Sequence, residues 1–421
     1  MKIRHLGQKG PVTSAIGLGC MGMSDLYGPA DRRESIATIH AALEAGVTLL
    51  DTGDFYGMGH NEMLIRDALS TLPPSRRDTA VISVKFGALR DPASGWHGYD
   101  ARPQAVRNFV AYSLQRLGVD HIDIYRPARL DPAVPIEETV GAIADLVKAG
   151  YVRHIGLSEL SADSIRRAAS VHPISDLQIE YSLISRGIED AILPVCRELG
   201  VGITAYGVLS RGLISGHWQA GAKPNDFRAA SPRFQGENVA HNLALVDALR
   251  SMADRKGVTV AQLAIGWVAA QGADIVPLVG ARTRERLHEA LGAVGLTLDA
   301  ADLAAIERAI PKGAAAGGGT HPRFWPNSIA NNNADGASPV SRYRSEEARR
   351  RMTKQTGQND RCPDIPGHLS SVRCVASPAH WNMGEAAESS PSTYMAPSAR
   401  TGSSGMAILL EFGFARDCVS R

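Results

Sequence analysis

The chain is 421 residues long, 44% apolar and 21% charged, an ordinary globular composition with enough apolar side chains for a sizeable core. Its formal net charge of +2 arises from nearly balanced bases and acids, so no broad basic field invites nucleic acid and no acidic excess gathers cations. No window approaches the about 18 uninterrupted apolar residues of a membrane span, and the opening Met-Lys-Ile-Arg-His-Leu-Gly lacks a secretory apolar run.

Up to residue 311, short β-branched or apolar runs alternate with longer runs of helical period. Ile3–Arg4 and Val12–Thr13 come first and are expected to pair as a small hairpin closing a barrel floor. A strand at Ala15–Leu18 is followed by a helix at Ser35–Ala45, which puts Ile36, Ile39 and Ala42 on one face. Strands at Thr48–Asp51 and Val81–Lys85 lead to a helix at Pro103–Leu117, whose proline stands near the first turn, where its missing N–H costs nothing. Then come a strand at Ile122–Tyr125, a helix at Ile136–Ala149, a strand at His154–Leu157 and a helix at Asp163–Ser170. Strands at Leu177–Glu180 and Gly202–Ala205 flank a helix at Glu189–Leu199. Two helices between Ala240 and Gln271 precede the last strand, Asp274–Pro277. Eight strands, each but the last followed by helix, predict an α/β fold, a closed (β/α)8 TIM barrel over residues 1–311.

After Pro311 the composition breaks into Gly-Ala-Ala-Ala-Gly-Gly-Gly, Asn-Asn-Asn and many Ser, Pro and Arg, with no sustained apolar period before Met406–Phe414. Such a segment buries too little apolar surface to offset its ordering entropy, so residues 312–421 are expected to form a disordered tail. The abruptness is also what an out-of-frame extension would produce.

Gly17-Leu-Gly-Cys-Met-Gly22 fits G-x-G-x-x-G behind an apolar strand. A dinucleotide fold needs a helix to start at that turn, with an acid about 20 residues on. Here the loop runs on through Gly28-Pro29 and the helix begins only near Ser35, so the glycines are read as a tight turn at a barrel mouth. Leu50-Asp51-Thr-Gly-Asp-Phe-Tyr56-Gly57 is more informative. It puts an acid at the C-terminal end of the second strand and a tyrosine five residues on, while Ser83-Val-Lys85 adds a lysine from the third. C-terminal strand ends converge at one mouth of a barrel. A free phenol titrates near 10, about three units too high for easy proton transfer at neutral pH. A neighbouring Lys ammonium is expected to lower that value, with Asp51 keeping the lysine charged and placed.

These residues carry a resemblance to the aldo-keto reductase superfamily, closest to bacterial and plant members that also run Gly-Leu-Gly-Cys-Met-Gly-Met-Ser, as residues 17–24 do. The resemblance covers residues 1 to about 311. It implies the same barrel and reduction of an aldehyde or ketone with NADPH or NADH, with Asp51, Tyr56 and Lys85 catalytic. It assigns Gly19, Cys20, Met21 and Asp51 to the cofactor groove, and Ser158, Glu159 and Gln178 to the nicotinamide carboxamide, where Glu159 replaces a usual Asn. Tyr206 is implied to stack on the nicotinamide, and Gly207, Val208, Leu209, Ser210 and Arg211 to lie against the pyrophosphate. Gly280, Ala281, Arg282 and Arg286 resemble the segment that clasps the adenosine phosphate, and Glu289 an adenine contact, although Ala290 stands where Asn follows it. The two arginines offer forked donors for a 2′-phosphate, which favours NADPH over NADH.

The pattern departs at the fourth strand. Asp123-Ile-Tyr-Arg126-Pro-Ala128-Arg129 resembles a family segment ending Leu-His-Arg, so Ala128 occupies the place of a catalytic histidine whose N–H polarises the carbonyl. Loss of one such donor costs about 100- to 1,000-fold. Arg126, two residues back on a strand and so on the same face, is the first candidate substitute. His97, in an expected flexible Gly95-Trp-His-Gly98 loop, is the second, and His121 lies at the far end of the barrel. The rival reading is a nucleotide-binding regulatory subunit with weak residual reductase activity, as in the potassium-channel β-subunits of the superfamily, which also lack this histidine. A hydrolase or lyase on the same barrel is opposed by the cofactor blocks, and no Gly-x-Ser-x-Gly elbow is present.

The 13 histidines form no H-E-x-x-H cluster, and Cys20, Cys196, Cys362, Cys374 and Cys418 form no C-x-x-C pair, so no metal is expected. An odd cysteine count without a framework fits a reducing compartment, and a cytoplasmic protein acting on a small carbonyl compound is expected. Its substrate is set by loops around 25–30, 88–100 and 215–236, and neither that substrate nor the oligomeric state is written in the sequence.

Overall fold

The computed structural model describes residues 1–24, 26–218 and 226–318. Eight parallel strands close into a barrel in the order Gly17–Gly19, Leu49–Gly53, Val81–Phe86, Ile122–Pro127, Val152–Ser158, Ile174–Glu180, Gly202–Tyr206 and Ile275–Gly280. The last pairs back onto the first, with Leu278 opposite Gly17 and Gly280 opposite Gly19. Each strand falls on a segment expected from the sequence, and several run up to three residues further toward the mouth. Helices cover the outer face of the barrel and its own side chains fill the inside, so the strands are buried almost throughout, with polar residues such as Ser83, Arg126 and Asp176 among those enclosed.

Local chemistry sets the helix ends. Asp31 caps Arg32–Glu44 by accepting from the Glu34 amide at 2.7 Å. Pro103 opens Pro103–Leu117 and Gly118, at φ 66°, closes it in the left-handed conformation. Reciprocal capping boxes start Val260–Ala270 and Ala300–Ala309. The floor is closed by the expected hairpin, Ile3–His5 with Val12–Ser14, and Arg4 ties it to the carbonyls of Ala269 and Gly272 at 2.8 Å each.

Two features at the mouth depart from expectation. The segment after the third strand is an antiparallel hairpin, Ala88–Arg90 with Trp96–Tyr99, rather than a flexible loop. Asp91 accepts from the Gly95 amide at 2.6 Å across its turn, and the Arg90 guanidinium lies 4.2 Å from the Trp96 ring. Nor does the chain leave the barrel at residue 311. Lys312 Nζ stands 2.5 Å from Asp190 Oδ1, and His241 Nε2 is 2.7 Å from the Ala314 carbonyl. Asn242 exchanges two bonds of 2.9 Å with the backbone of Ala316. The described contacts with the barrel thus run on to residue 318, past the residue 311 expected from composition. Composition could not show this, because alanine and glycine attach here through backbone groups and leave no side-chain period to read. The tail expected beyond residue 318 lies outside the described residues.

Candidate active site

Asp51, two residues before the end of the second strand, gathers three donors. Its Oδ1 accepts from Gln178 Nε2 at 2.7 Å and Ser83 Oγ at 3.1 Å, and its Oδ2 from Lys85 Nζ at 2.6 Å. The barrel register makes this possible, with Asp51 beside Ser83 and Gly53 beside Lys85. Cys20 steadies the same strand end by donating its amide to the Asp51 carbonyl at 2.9 Å. Its thiol is buried and pushed up in pKa by that burial, hence chemically inert.

Tyr56 stands on the turn after the same strand. Gly57, Met58 and Gly59 are all left-handed, at φ 56°, 53° and 93°, and turn the chain into the helix His60–Ser70. A Cβ at Gly59 would lie 2.6 Å from Arg116 Cδ, so that position needs glycine twice over. Tyr56 is only 6% exposed and packs with Phe55, Ala88 and Ala128, with Met21, Leu26, Trp96 and Tyr99 around them. Phe55 meets its ring edge-on at 4.8 Å and the Trp96 ring at 5.7 Å. Lys85 Nζ lies 5.1 Å from the Tyr56 ring centre.

The electrostatics correct one expectation. Burial, and after it the Asp51 carboxylate, hold the Tyr56 phenol well above its ordinary value, and Arg129 is the cation that opposes them. Lys85, itself lowered by burial against the pull of Asp51, is bonded to that carboxylate, and burial outweighs the cations around the phenol.

Arg126 is a second correction. It lies on the expected face but one layer deeper, 0% exposed. Its Nη1 donates to Asp176 Oδ2 at 2.8 Å and the Leu157 carbonyl at 3.3 Å, and its Nη2 to Asp176 Oδ1 at 3.2 Å and Ser83 Oγ at 3.1 Å. Gly156 makes the room, since a Cβ there would come within 2.8 Å of Arg126 Cζ. Both terminal nitrogens thus serve the barrel interior, and not a carbonyl at the mouth. Glu180 pairs with Arg211 at 3.1 Å and Arg233 at 3.6 Å. Against burial, which alone would raise it, those arginines hold Glu180 at about 2. His97 is also displaced from the role considered for it. It is 60% exposed on the hairpin, with Nε2 2.6 Å from Asp91 Oδ2.

Sequence reasoning missed Arg129. Its side chain turns inward, with Nη1 donating to the Ala128 carbonyl at 2.6 Å and Ser158 Oγ at 3.3 Å, and Nη2 3.5 Å from Tyr206 Oη. The strand ends at Pro127, so strand alternation no longer applies two residues later.

The other groove residues lie along the mouth. Ser158 and Gln178 pair across neighbouring strands. Glu159 is left-handed at φ 55°, a conformation in which the Asn of the resemblance is more at ease, and its Oε1 accepts from the Glu180 amide at 2.9 Å. After Tyr206 the loop turns left-handed at Gly207, Ser210, Arg211 and Gly212, with Val208 buried beneath it. Gly19 and Gly280 oppose each other at strand ends, where a Cβ on Gly280 would meet only the Gly19 carbonyl at 3.9 Å. Ala281 is buried next to them. Arg282 donates to the carbonyls of Tyr27 and Pro29, at 2.9 and 3.2 Å. Arg286 and His217 converge on Glu289, at 3.1 and 2.8 Å. Among the described residues no three His, Cys, Asp or Glu side chains gather to hold a metal, and no helix is long and apolar enough to cross a membrane.

The sequence profile of the aldo/keto reductase family matches residues 15–311. A Glycine max protein described as probable aldo-keto reductase 1 is 41% identical over 317 residues, 74% of this chain and 90% of that one. Among solved structures, a glycerol dehydrogenase from Gluconobacter oxydans is 29% identical with a TM-score of 0.67, covering 73% of this chain and 94% of its own. An aldo-keto reductase from Bacillus halodurans, solved in its holo form, is 25% identical with a TM-score of 0.62, covering 74% and 96%. A match that runs from the first barrel strand to just past the last described helix, over a barrel of the same shape, leaves one assignment: the chain belongs to the aldo/keto reductase family of NAD(P)H-dependent carbonyl reductases.

Proposed function

We propose that the protein reduces an aldehyde or ketone to the alcohol with NADPH, and that Tyr56 delivers the proton. The observation that carries this reading is the array beneath Tyr56, in which one buried carboxylate, Asp51, holds Lys85 at 2.6 Å and Gln178 at 2.7 Å at the mouth of the barrel. Tyr56 keeps its proton at neutral pH, and the nearby Lys85 ammonium eases its release by favouring the phenolate. As the Tyr56 proton passes to the carbonyl oxygen, the phenolate left behind lies near the Lys85 ammonium, which Asp51 keeps charged. Phe55, Trp96, Tyr99, Ala88 and Ala128 form the apolar wall that keeps water from that oxygen.

The groove suits a nicotinamide dinucleotide. The paired glycines Gly19 and Gly280 leave strand ends without side chains, and Cys20 and Met21 continue that wall. Ser158, Glu159, Gln178 and Tyr206 would hold the nicotinamide, and the 207–212 loop with Arg211 the pyrophosphate. In the same crossover the Arg228 guanidinium lies 5.4 Å from the centre of the Trp218 ring, whose N–H meets no acceptor among the described residues. Arg282 and Arg286 would take the 2′-phosphate, with Glu289 beside the adenine, which is the ground for NADPH over NADH. When bound, the cofactor supplies the hydride to the carbonyl carbon.

NADPH consumption against a panel of aldehydes and ketones, with Tyr56→Phe as control, tests the reading. Turnover that Tyr56→Phe abolishes is expected. Undiminished turnover in that variant removes Tyr56 as the donor. Tight NADPH binding with no turnover on any carbonyl favours the second reading, a nucleotide-binding regulatory subunit, which draws its support from Ala128.

A further inference from the structure

We propose that Ser83 is a positioning residue of this site: its hydroxyl stands between the Arg126 guanidinium and the Asp51 carboxylate, and through it the buried cation of the barrel interior sets how firmly Asp51 holds Lys85. The inference rests on the reading of Tyr56 as proton donor.

Three neighbouring strands build the link. Ser83 lies beside Asp51 in register, and Arg126 beside Lys85. The Arg126 side chain turns down to the layer of Ser83, where its Nη2 reaches the hydroxyl at 3.1 Å. Ser83 Oγ is in turn 3.1 Å from Asp51 Oδ1. Arginine has donors only, a carboxylate acceptors only, and the hydroxyl a single proton. The Ser83 proton therefore points at Asp51 and a lone pair at Arg126, an orientation fixed by the two partners. A hydroxyl that accepts from a cation donates more strongly on its other side. Asp176 holds the guanidinium from behind with both oxygens, at 2.8 and 3.2 Å. Ser83, Arg126, Asp176, Asp51 and Lys85 are all buried, so solvent does little to screen one from the next.

Asp51 Oδ1 also accepts from Gln178 at 2.7 Å, but on the NADPH reading Gln178 is shared with the nicotinamide. Ser83 has no second duty. Among the described residues its hydroxyl meets Arg126 and Asp51 alone. It keeps Oδ1 occupied and leaves Oδ2 to Lys85 at 2.6 Å. Each donor on the carboxylate draws negative charge away from Oδ2, and so leaves more of the ammonium's charge for the phenolate that Tyr56 becomes. Lys85 is faced by Asp51, Arg126, Arg129 and the Cys20 thiol, with the Tyr56 ring centre 5.1 Å away. Burial lowers the Lys85 ammonium, Asp51 pulls it back up, and Arg126 adds to the lowering. With the Ser83 proton gone, Asp51 pulls harder, and Lys85 holds its own proton to higher pH.

The test uses the full chain and follows kcat and KM for an aldehyde with NADPH across pH. Ser83→Ala is expected to lower the plateau of kcat by about tenfold, the size of a lost hydrogen bond to a charged group, with little change in KM. The basic limb of its kcat profile should move to higher pH. Ser83→Thr keeps the hydroxyl and should restore most of the rate and the position of the limb. Arg126→Met with Asp176→Leu removes the guanidinium and spares Ser83. In that background, adding Ser83→Ala should cost less than it does alone, and this comparison decides where Ser83→Thr fails to fold. Turnover of Ser83→Ala at the unaltered rate overturns the proposal. So does a lower kcat with an unmoved basic limb, which a purely structural role would give. A folded Ser83→Thr that behaves like Ser83→Ala overturns it too, as does an undiminished cost of Ser83→Ala once Arg126 is gone. In any of those cases a dead Tyr56→Phe leaves the proton-donor reading standing, whereas an active Tyr56→Phe brings that reading down instead.

Discussion

Arg126 meets Asp176 through both terminal nitrogens, at 2.8 and 3.2 Å, in the fully buried interior of the barrel. Ser175 and Thr204 complete the carboxylate with bonds of 2.8 and 2.5 Å, and Ser83 links the guanidinium to Asp51. An ion pair so placed contributes little net stability, yet removing one partner strands a buried charge. Arg126→Met should lower unfolding free energy by about 3–5 kcal/mol, and Arg126→Met with Asp176→Leu should recover most of it. Urea unfolding of the three proteins checks this; a double variant as unstable as the single one would mean that the loss comes from packing.

Asp54 gives a pH dependence of stability. Burial, and then the neighbouring Glu62 carboxylate, push its carboxyl up to about 8 from an ordinary 3.8. One of its oxygens has no partner, while the other accepts from the Gly87 amide at 3.3 Å. Between those two pH values the unfolded chain has released a proton that the folded protein keeps, so stability falls as pH rises through that window and levels off above it. Asp54→Asn keeps an acceptor for Gly87 and cannot ionise. Its melting temperature should exceed that of the unaltered protein by several degrees at pH 8, with the gap closing toward pH 5. A gap independent of pH would show that Asp54 does not titrate in that range.

Cofactor choice should depend on Arg282 and Arg286. Changing both to Ala is expected to weaken NADPH by tenfold or more, roughly 1.4 kcal/mol, and to leave NADH little altered. Arg282 also ties down the carbonyls of Tyr27 and Pro29. Equal losses for both nucleotides would mean that the loop had moved, and the preference for NADPH would have no support left.

Truncation separates the two parts of what composition marked as one tail. Ending the chain after Gly318 should leave thermal stability nearly unchanged. Ending it after Pro311 removes the bonds of His241 and Asn242 to Ala314 and Ala316 and the Lys312–Asp190 pair. At about 1 kcal/mol for each lost hydrogen bond, a loss of a few kcal/mol is expected. Identical melting curves for the two truncations would put the barrel boundary back at 311.

The barrel was legible because alternating strand and helix periods survive in every unit, and Asp51 and Lys85 because strand ends fix where side chains converge. What the sequence concealed was depth and direction. Arg126 was placed on the right face by strand alternation, but period alone cannot say that Gly156 opens a hole for it one layer down. Arg129 stands just past the strand end, where the period stops, and its inward turn depends on where the Ala128 carbonyl and Ser158 come to lie. The mouth hairpin rests on Asp91 bridging its own turn and on Arg90 lying over Trp96, contacts between residues too polar or too few to register as a strand pattern.

Ala128 makes the sharpest case. It is buried and packed against Phe55, Tyr56 and Ala88, and its carbonyl accepts from Arg129 Nη1 at 2.6 Å. Restoring histidine there would add a ring to a closed apolar cluster, and overpacking of that kind costs about 1–3 kcal/mol. The new ring would push on Tyr56 or on the hairpin. Ala128→His should therefore lower kcat, with a lower melting temperature, and give no gain on simple aldehydes. Ala128→Gly is the companion, since it removes volume and adds no donor, and should leave kcat closer to the starting value than Ala128→His does. A rise in turnover toward 100-fold in Ala128→His would mean that the cluster has room for the ring and that the site lacks the donor it supplies.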